Sequence, residues 1–348
     1  MKALRFYGKN DYKLEEIEKP SISQDEILLK VKAVAVCGSD IRMIQNGYAG
    51  VTKESPRTYG HEIAGIIEAV GEQVTGYHIG MSVAVAPNMG CGICDECVAG
   101  NTHLCREYKA FGINMDGGFA EYVVIPAEAV RQGNVVPVDM SGAMTFEKAA
   151  IIEPLSCVFN GFEKAGIKPC DTVLIIGAGP IGILHGMLAK MAGASKVMIT
   201  DLNEQRLNMC KKAEPEFLTY AGDNLKGFVM EQTEGKGVQV CITACPSAKA
   251  QSDSLELLAM NGRVNFFGGL PAGSAKAEID TNLVHYRQLI LTGSARSSLT
   301  QYRKCLKLVQ SGILDVSPVI SDLYSLEQYE EAFAAAKTGS NLKNIFVF

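Results

Sequence analysis

The sequence predicts an α/β protein with two domains, a compact β barrel and a doubly wound parallel sheet. Up to residue 87, short apolar runs are separated by glycines, a pattern typical of a small barrel. From Asp171 onward, apolar strand-like runs alternate with helical segments, which is typical of a parallel sheet. A glycine-rich turn follows the first of these later runs. At 348 residues the chain is long enough for two hydrophobic cores.

Composition narrows the class of protein. Hydrophobic residues make up 47% and charged residues 20%, as in ordinary globular proteins. The net charge of −5 and the lack of a long basic run argue against a nucleic-acid partner. Neither an export signal nor a membrane segment is visible, so we expect a cytoplasmic protein without a membrane partner. Its 11 cysteines then indicate reduced thiols and metal ligands rather than disulfides.

The β-rich part begins at the N-terminus, where residues 1–36 are predicted to be strands. Branched and alternating apolar residues predict further strands, followed by one helical segment. These elements are the strand Glu26–Val36, the strands and turns of Tyr59–Val74 and 76–87, the strand Gly117–Ile125 and the helical segment Thr145–Lys164.

Alternation of strand and helix defines the second part. The predicted strands are Val173–Ile176, Val197–Thr200, Val238–Thr243, Arg263–Gly268 and Leu289–Thr292. The predicted helices between them are Ile181–Ala192, Glu204–Ala213 and Ala248–Leu258. The chain then returns through amphipathic helices at Gln301–Ser311 and Leu326–Lys337 to a closing strand, Lys343–Phe348.

The stretch Val173–Asp201 predicts a dinucleotide-binding site. Three glycines have separate roles: one permits the tight turn, one lets the backbone approach a pyrophosphate, and one lets the helix pack on the strand. The helix N-terminus offers unpaired N–H groups to the phosphates. Asp201 can accept hydrogen bonds from the ribose hydroxyls of NAD and would repel a 2′-phosphate. The predicted cofactor-binding residues are Gly177, Gly179, Pro180, Ile181, Gly182, Asp201 and Arg206.

A glycine-rich loop carries four closely spaced cysteines, Cys91, Cys94, Cys97 and Cys105. Four thiolates can surround one tetrahedral zinc and leave no position for a substrate, so this zinc would be structural. An iron–sulfur cluster is the alternative for such spacing. Four unligated thiols are the third possibility, and the glycine-rich context argues against it.

The ordered motifs resemble those of the zinc-containing medium-chain alcohol/polyol dehydrogenases, in the branch that includes sorbitol and threonine dehydrogenases. The resemblance covers nearly the whole chain. Its motifs are Cys37-Gly38-Ser39-Asp40, Gly60-His61-Glu62 with Gly65, Gly71 and Val74, the cysteine loop, Glu153-Pro154-Leu155 and the glycine-rich turn. It implies a GroES-like catalytic domain formed by residues 1–153 and 290–348, with a zinc lobe at 88–106. It also implies a Rossmann NAD-binding domain at 154–289.

A catalytic zinc needs soft or borderline ligands and an open position. Cys37 and His61 would supply sulfur and nitrogen, and either Glu62 or Glu153 would supply oxygen. The resemblance places Glu153 where ethanol-type relatives have a cysteine, and it leaves open which glutamate binds directly. Two zinc ions per chain are therefore expected.

The expected reaction is hydride transfer from a secondary alcohol to NAD. Zinc would act as a Lewis acid, and Ser39 would take the proton of the alcohol. Asp40 would accept a hydrogen bond from the second imidazole nitrogen of His61. A turn aspartate without that role is the alternative for Asp40. Ser39, Asp40 and Glu153 are thus the predicted catalytic residues.

One position departs from the family pattern. Where many relatives carry a histidine that passes the proton to solvent, this chain has Arg42, which stays protonated and cannot act as a base. Arg42 would then face an anion, or protons would leave through the ribose and water. Other predicted substrate contacts are Tyr48, Phe111 and Arg296, each of which could instead be a packing or surface residue.

These features favour oxidation of a polyol or sugar alcohol, with or without a phosphate group. L-threonine 3-dehydrogenase and butanediol dehydrogenase are alternatives in the same family. A non-catalytic nicotinamide-binding protein is the alternative of another class, but relatives of that kind lack the set Cys37, His61 and Glu153. By resemblance, strand Leu289–Thr292 would pair across a two-fold axis, so a homodimer or homotetramer is expected.

Overall fold

The computed structural model describes residues 1–271 and 273–348. It confirms the predicted fold class, an α/β protein with one β-rich unit and one parallel-sheet unit. The first unit comprises Met1–Ser156 and Arg296–Phe348, and the second comprises Cys157–Ala295. Both boundaries lie a few residues beyond those proposed from the sequence. Ser156 and Ser297 are hydrogen-bonded to each other, with 2.7 Å between their Oγ atoms, which keeps both in the first unit.

In chain order, the strands are β1 (Lys2–Gly8), β2 (Asp11–Glu16), β3 (Ile27–Ala35), β4 (Arg57–Thr58), β5 (Glu62–Val70), β6 (Ser82–Val85), β7 (Asn88–Met89), β8 (Lys109–Ala110), β9 (Tyr122–Ile125), β10 (Val135–Pro137), β11 (Thr172–Ile176), β12 (Lys196–Thr200), β13 (Leu218–Tyr220), β14 (Val238–Thr243), β15 (Leu258–Phe266), β16 (Ile290–Gly293), β17 (Ile320–Tyr324) and β18 (Lys343–Val347).

The helices are α1 (Gly38–Asn46), α2 (Asp95–Val98), α3 (Ala127–Gln132), α4 (Phe146–Ala150), α5 (Ile152–Ala165), α6 (Pro180–Met191), α7 (Glu204–Ala213), α8 (Leu225–Gln232), α9 (Ala248–Ser254), α10 (Thr281–Arg287), α11 (Leu299–Gln310) and α12 (Tyr329–Thr338). None of the helices in the described ranges 1–271 and 273–348 has both the length and the apolarity needed to span a bilayer.

The main sheet of the first unit is organised around β3. Its strand order is β10-β6-β5-β3-β18-β17, and β9 also pairs with β3. The antiparallel register sets Ala35 of β3 opposite Glu62 of β5 on one side and opposite Ile345 of β18 on the other. Residues next to these three positions therefore meet at one end of the sheet, although they come from both ends of the chain.

The second unit contains a six-stranded parallel sheet of order β13-β12-β11-β14-β15-β16. Its central strand β11 is an apolar run, and Val173, Leu174 and Ile175 are fully buried, as expected for a sheet covered on both faces. The direction of winding reverses between β11 and β14. In such sheets, ligands bind beyond the carboxyl ends of the strands at this reversal. Strand β16 lies at one end of the order, and its pairing with a second copy stays a prediction.

Three element boundaries differ from those that the sequence predicts. The helical segment Thr145–Lys164 is divided into α4 and α5, with Pro154 in the first turn of α5, where its missing N–H costs little. The strand predicted at Gly117–Ile125 begins only at Tyr122, because Gly117 packs against the backbone of Gly60. A Cβ on Gly117 would lie 2.1 Å from the Gly60 carbonyl oxygen. Helix α9 ends at Ser254, and β15 starts at Leu258 because it already pairs there with β14.

His185 is a buried histidine whose neighbours are apolar. Its ring lies edge-on to Phe267, with 4.7 Å between the ring centroids. A Cβ on Gly161 would lie 2.9 Å from the imidazole Cε1, so glycine makes room for the ring. Neither ring nitrogen has a hydrogen-bond partner among the described residues. Burial lowers the pKa of His185 to about 3.

This histidine should make the protein acid-sensitive. Unfolded histidine titrates near a pKa of about 6.5, so below that pH the unfolded chain binds a proton that the folded chain refuses. The lost stability should reach about 2 kcal/mol between about pH 7.5 and about pH 5, relative to a His185→Leu variant. Urea unfolding of both proteins at each pH measures this difference. The exposed His78→Leu serves as control, and equal pH dependence of wild type and His185→Leu would contradict the prediction.

Candidate functional site

Three side chains of kinds that can bind a metal ion meet at the end of β3 and β5 in the first unit. Cys37 follows β3, His61 precedes β5, and Glu62 begins β5. One donor atom from each lies within 4.8 Å of the donor atoms of the other two. His61 and Glu62 are buried, with 6% and 0% of their surfaces exposed. The strand register thus brings together residues from the motifs predicted to bind a catalytic metal.

Helix α1, which the sequence did not predict, orients two of these groups. Its N-cap is Cys37, and the third helical residue, Asp40, accepts a hydrogen bond from the Cys37 backbone N–H at 2.9 Å. The other carboxylate oxygen of Asp40 lies 3.4 Å from His61 Nδ1. His61 Nε2 lies 3.5 Å from the hydroxyl of Ser39. The side chain of Asp40 therefore caps the start of α1, and its second oxygen lies beside the imidazole without a hydrogen bond to it among the described residues.

Lys343 is a functional residue that sequence reasoning missed. It begins β18, is only 3% exposed, and pairs through its ammonium with Glu62 Oε1. It also donates to the Val36 carbonyl at 3.2 Å. Burial opposes its charge, yet the neighbouring Glu62 carboxylate raises the pKa of Lys343 to about 12. In the sequence, this residue is indicated by a lysine at the first position of the mostly apolar strand β18.

Glu153 lies in the first turn of α5 and is buried, with 6% of its surface exposed. It is not part of the tight group formed by Cys37, His61 and Glu62. Its charge does reach that group: burial raises the pKa of Glu62 well above its usual value, and the Glu153 carboxylate adds to this rise while Lys343 opposes it. The structure therefore puts Glu62 nearer to the sulfur and nitrogen donors, and Glu153 within electrostatic range.

The donor set fits zinc. Burial raises the pKa of the Cys37 thiol, but the charges of His61 and Lys343 outweigh this and lower it to about 6. The second carboxylate oxygen of Glu62, Oε2, is buried and makes no hydrogen bond with the described residues. A thiolate, an imidazole and a carboxylate form a borderline donor set with room for a fourth ligand.

The cysteine lobe contains the second group of donors. The sulfur atoms of its four cysteines, Cys91, Cys94, Cys97 and Cys105, all lie within 4.8 Å of one another. The Sγ atoms of Cys94 and Cys105 are 3.8 Å apart. Tetrahedral zinc–sulfur bonds of about 2.3 Å place neighbouring sulfurs about 3.8 Å apart, so the spacing suits a single ion rather than a larger iron–sulfur cluster. None of the 11 cysteines forms a disulfide in the described structure.

The glycine loop of the second unit connects β11 to α6. Gly177 has a φ of +119°, a conformation that L-residues avoid. A Cβ on Gly182 would lie only 1.8 Å from the Gly177 carbonyl oxygen, whereas one on Gly179 would meet nothing within 4 Å. Two of the three glycines are thus required by the protein itself, and Gly179 leaves space beside the loop.

Asp201 follows β12 and is held beside the same loop. One carboxylate oxygen accepts from the Ala178 N–H at 2.8 Å, and the other accepts from the Asn203 N–H at 2.9 Å. Arg206 lies in α7 with its Nη1 3.9 Å from Asp201 Oδ2. The two N–H donors fix the carboxylate at the edge of the loop, where it can receive the hydroxyls of a ribose.

The four residues proposed to contact the substrate differ in how deeply they are buried and in what they contact. Arg42 is exposed on α1, and Tyr48 is half-buried against the core of the first unit. Phe111 is fully buried in that core, a position that packing alone accounts for. Arg296 donates from Nη1 to the His103 carbonyl at 3.0 Å, within the cysteine lobe. Substrate contact by these residues stays a prediction.

The glycine geometry predicts different effects for two alanine substitutions. Gly182→Ala should unfold the loop and lower the melting temperature strongly, because a Cβ would overlap the Gly177 carbonyl. Gly179→Ala should keep the melting temperature and weaken NADH binding by roughly tenfold or more, about 1.4 kcal/mol. Thermal melting and fluorescence titration with NADH measure the two effects. A Gly179→Ala protein that binds NADH like wild type would contradict the role given to this loop.

Comparison with known proteins agrees with this geometry. The alcohol dehydrogenase GroES-like domain model matches residues 23–137, and the zinc-binding dehydrogenase model matches residues 180–311. L-threonine 3-dehydrogenase of Pyrococcus furiosus is 33% identical, over 100% of this chain and 97% of its own length.

Solved structures extend the comparison. Galactitol-1-phosphate dehydrogenase from Escherichia coli superposes with a TM-score of 0.88 at 26% identity, covering 100% of both chains. An alcohol dehydrogenase from E. coli CFT073, complexed with NADH, superposes with a TM-score of 0.89 at 25% identity, covering 100% of this chain and 99% of the other. The predicted resemblance is therefore confirmed: the chain belongs to the zinc-binding medium-chain dehydrogenases, a family of NAD(P)-dependent alcohol oxidoreductases.

Proposed function

We propose that the protein oxidises a secondary alcohol to a ketone and transfers the hydride to NAD, with L-threonine as the first candidate substrate. The main observation that supports this reaction is the group formed by Cys37, His61 and Glu62, whose donor atoms lie within 4.8 Å of one another. The choice of L-threonine rests on the relatives, since the threonine 3-dehydrogenase of P. furiosus is 33% identical over this whole chain. L-threonine is therefore better supported as the substrate than the polyol or sugar alcohol that the sequence favoured.

The proposed ligands of the catalytic zinc are Cys37, His61 and Glu62, with Glu153 as the glutamate that can replace Glu62. When bound, zinc supplies a Lewis acid that lowers the pKa of an alcohol. In this proposal the Asp40 carboxylate, 3.4 Å from His61 Nδ1, orients the imidazole when the metal is bound. Cys91, Cys94, Cys97 and Cys105 are the proposed ligands of the structural zinc.

Ser39 is the proposed acceptor of the proton of the alcohol. Its hydroxyl lies 3.5 Å from His61 Nε2, beside the donor group, and it is only half-buried, so the proton can continue to water. The alcohol then loses one proton and one hydride and becomes a ketone, while NAD gains the hydride. Arg42 cannot take part in this relay, since a guanidinium stays protonated.

The cofactor preference is proposed from Asp201. A carboxylate fixed by the Ala178 and Asn203 N–H groups can accept from both ribose hydroxyls and repels a 2′-phosphate. The rate with NAD should therefore exceed the rate with NADP, and initial-rate comparison of the two oxidants checks this. Cysteines without disulfides suit a reducing compartment, so we also propose the cytoplasm as the location.

Metal analysis tests the proposed catalytic centre. The wild-type protein should hold two zinc ions per chain, and Cys37→Ser should hold one and lose roughly a thousandfold or more in turnover, because the Lewis acid is gone. Cys170→Ser, which changes an exposed thiol outside both groups, should keep both ions and full activity. A Cys37→Ser protein with unchanged zinc content and activity would refute the assignment of the site.

A second candidate substrate class is a phosphorylated polyol. Arg42 is an exposed guanidinium at the position where relatives carry a neutral histidine, and no ion pair in the described part of the chain engages it. Galactitol-1-phosphate dehydrogenase is among the similar structures, at 26% identity. A phosphate dianion is a natural partner for an unpaired guanidinium.

A substrate panel separates the two candidates. L-threonine, 2,3-butanediol, sugar alcohols and their phosphates should be compared with NAD as oxidant, using wild type and Arg42→Ala. If phosphorylated polyols are the substrates, Arg42→Ala should raise their KM by about tenfold or more and leave unphosphorylated alcohols unchanged, because one charge-assisted contact is lost. Turnover of L-threonine alone, unaffected by Arg42→Ala, would favour the first candidate and exclude the phosphate contact.

A further inference from the structure

Arg296 is the first residue of the chain segment that returns to the first unit. Although Arg296 is exposed, its guanidinium contacts His103 in the cysteine lobe and Tyr108 just after the lobe. Nη1 donates to the carbonyl of His103, and the planar group lies over the ring of Tyr108, 3.8 Å from the ring centroid. His103 lies two residues before Cys105, and Tyr108 lies three residues after it. Arg296 therefore contacts the chain on both sides of a proposed zinc ligand.

A second set of contacts joins the same two segments. The hydroxyl of Tyr108 donates to Asn88 Oδ1 at 2.6 Å, and Asn88 Nδ2 donates to the Ser297 carbonyl at 3.1 Å. Asn88 is only 7% exposed and Ser297 only 2%, so these hydrogen bonds are protected from water. The lobe and the returning segment are therefore connected both through Arg296 and through Asn88, and Tyr108 contacts both of these residues.

The connection continues to the proposed catalytic glutamate. Ser156 donates to the Glu153 carbonyl at 2.6 Å, and its oxygen lies 2.7 Å from the hydroxyl of Ser297. A serine hydroxyl has a single proton, so Ser297 must be the donor to Ser156. The hydrogen bonds thus run in one direction, from Ser297 to Ser156 to the backbone of Glu153. Both serines are buried.

The backbone of Arg296 gives a further indication. Its φ of +58° is left-handed, a conformation that is unfavourable for a residue with a side chain. Glycine would avoid that cost, and arginine persists where its surroundings hold it. Since Ser297 and Ser298 directly after it are buried, the turn at Arg296 sets the direction in which the segment enters the first unit.

Tyr302 lies further along the same segment, on α11. Its ring is 1% exposed, and its hydroxyl has no hydrogen-bond partner among the described residues. Burial raises the pKa of Tyr302 well above its usual value, and the nearby carboxylate of Glu153 adds to this rise. Hydrogen bonds connect the returning segment to the backbone of Glu153 through Ser297 and Ser156, and Tyr302 of the same segment is buried.

We propose that Arg296 is a positioning residue that couples the cysteine lobe to Glu153. The proposal rests on the proposed function, in which the lobe and the Cys37 site each hold a zinc ion. Arg296 fixes the returning segment against the lobe, and Ser297 transmits that position through Ser156 to the first turn of α5. Removing the contacts of Arg296 or of Ser297 should therefore speed the release of the metal from the Cys37 site. Such an effect is a coupling between the lobe and that site.

Zinc release from the loaded protein into excess chromogenic chelator tests this coupling. The phase of release that is missing in Cys37→Ser reports the catalytic site. Arg296→Ala should speed that phase by about fivefold or more, and Ser297→Ala should do the same. The double variant should release zinc no faster than the faster single variant, because both substitutions interrupt one chain of contacts. Arg296→Gly should behave as Arg296→Ala, since it also removes the guanidinium while accepting the left-handed turn.

Arg303→Ala is the matched control. Arg303 lies on α11 and also donates to a backbone carbonyl, that of Gly133 at 2.7 Å, so its loss should lower the melting temperature similarly without changing the Cys37-dependent phase. Unchanged release in Arg296→Ala, or additive effects in the double variant, would overturn the coupling while leaving the proposed function intact. A wild-type protein without a Cys37-dependent phase would overturn both.

Discussion

The buried ion pair between Lys343 and Glu62 is the interaction on which the catalytic half of the molecule depends. Both side chains are almost fully buried, so each charge would be very costly without the other. The pair forms only because β18 lies beside β3 and brings the end of the chain to the start of β5. It occupies one oxygen of Glu62 and leaves the other, Oε2, buried and without a hydrogen-bond partner among the described residues. The closing strand thereby fixes the charge balance of the metal group.

The two groups of candidate metal ligands lie in different structural surroundings. The group at Cys37 is embedded in a sheet that has its own hydrophobic core, so the protein can define its geometry without an ion. The cysteine lobe has no such core: α2 buries none of its residues, and Ile93 and Val98 are 86% and 77% exposed. A lobe of this kind needs metal bonds in place of apolar burial. The contacts of Arg296 and Asn88 link this lobe, proposed to hold a zinc ion, to the returning segment of the first unit.

The dinucleotide loop shows how a ligand site can be prepared by backbone geometry. Gly177 and Gly182 are needed for the turn and for the approach of α6, and Asp201 is held by two backbone N–H groups. The carboxylate therefore does not have to be ordered when a ribose arrives, which reduces the entropic cost of binding. The parallel sheet supplies the rigid support, since β11 and β14 end at the point where its winding reverses.

Local motifs let the sequence alone indicate the fold class, the family, the four-cysteine loop and the glycine loop, because each motif spans only a few positions. Short turns and spacings carry that information, as in the loop from Cys91 to Cys105. The sequence also named Cys37, His61 and Glu62 as candidate metal ligands, but strand register brings Cys37 next to the other two. Tertiary structure alone decided which partners meet across the chain. Lys343 and Glu62 are 281 positions apart, and Arg296 and His103 are 193 apart. No periodicity encodes such pairs; they follow from strand register and from the path by which the chain re-enters its first unit. For the same reason the sequence could propose Phe111 for the substrate pocket, whereas its place in the core was set by packing among distant residues.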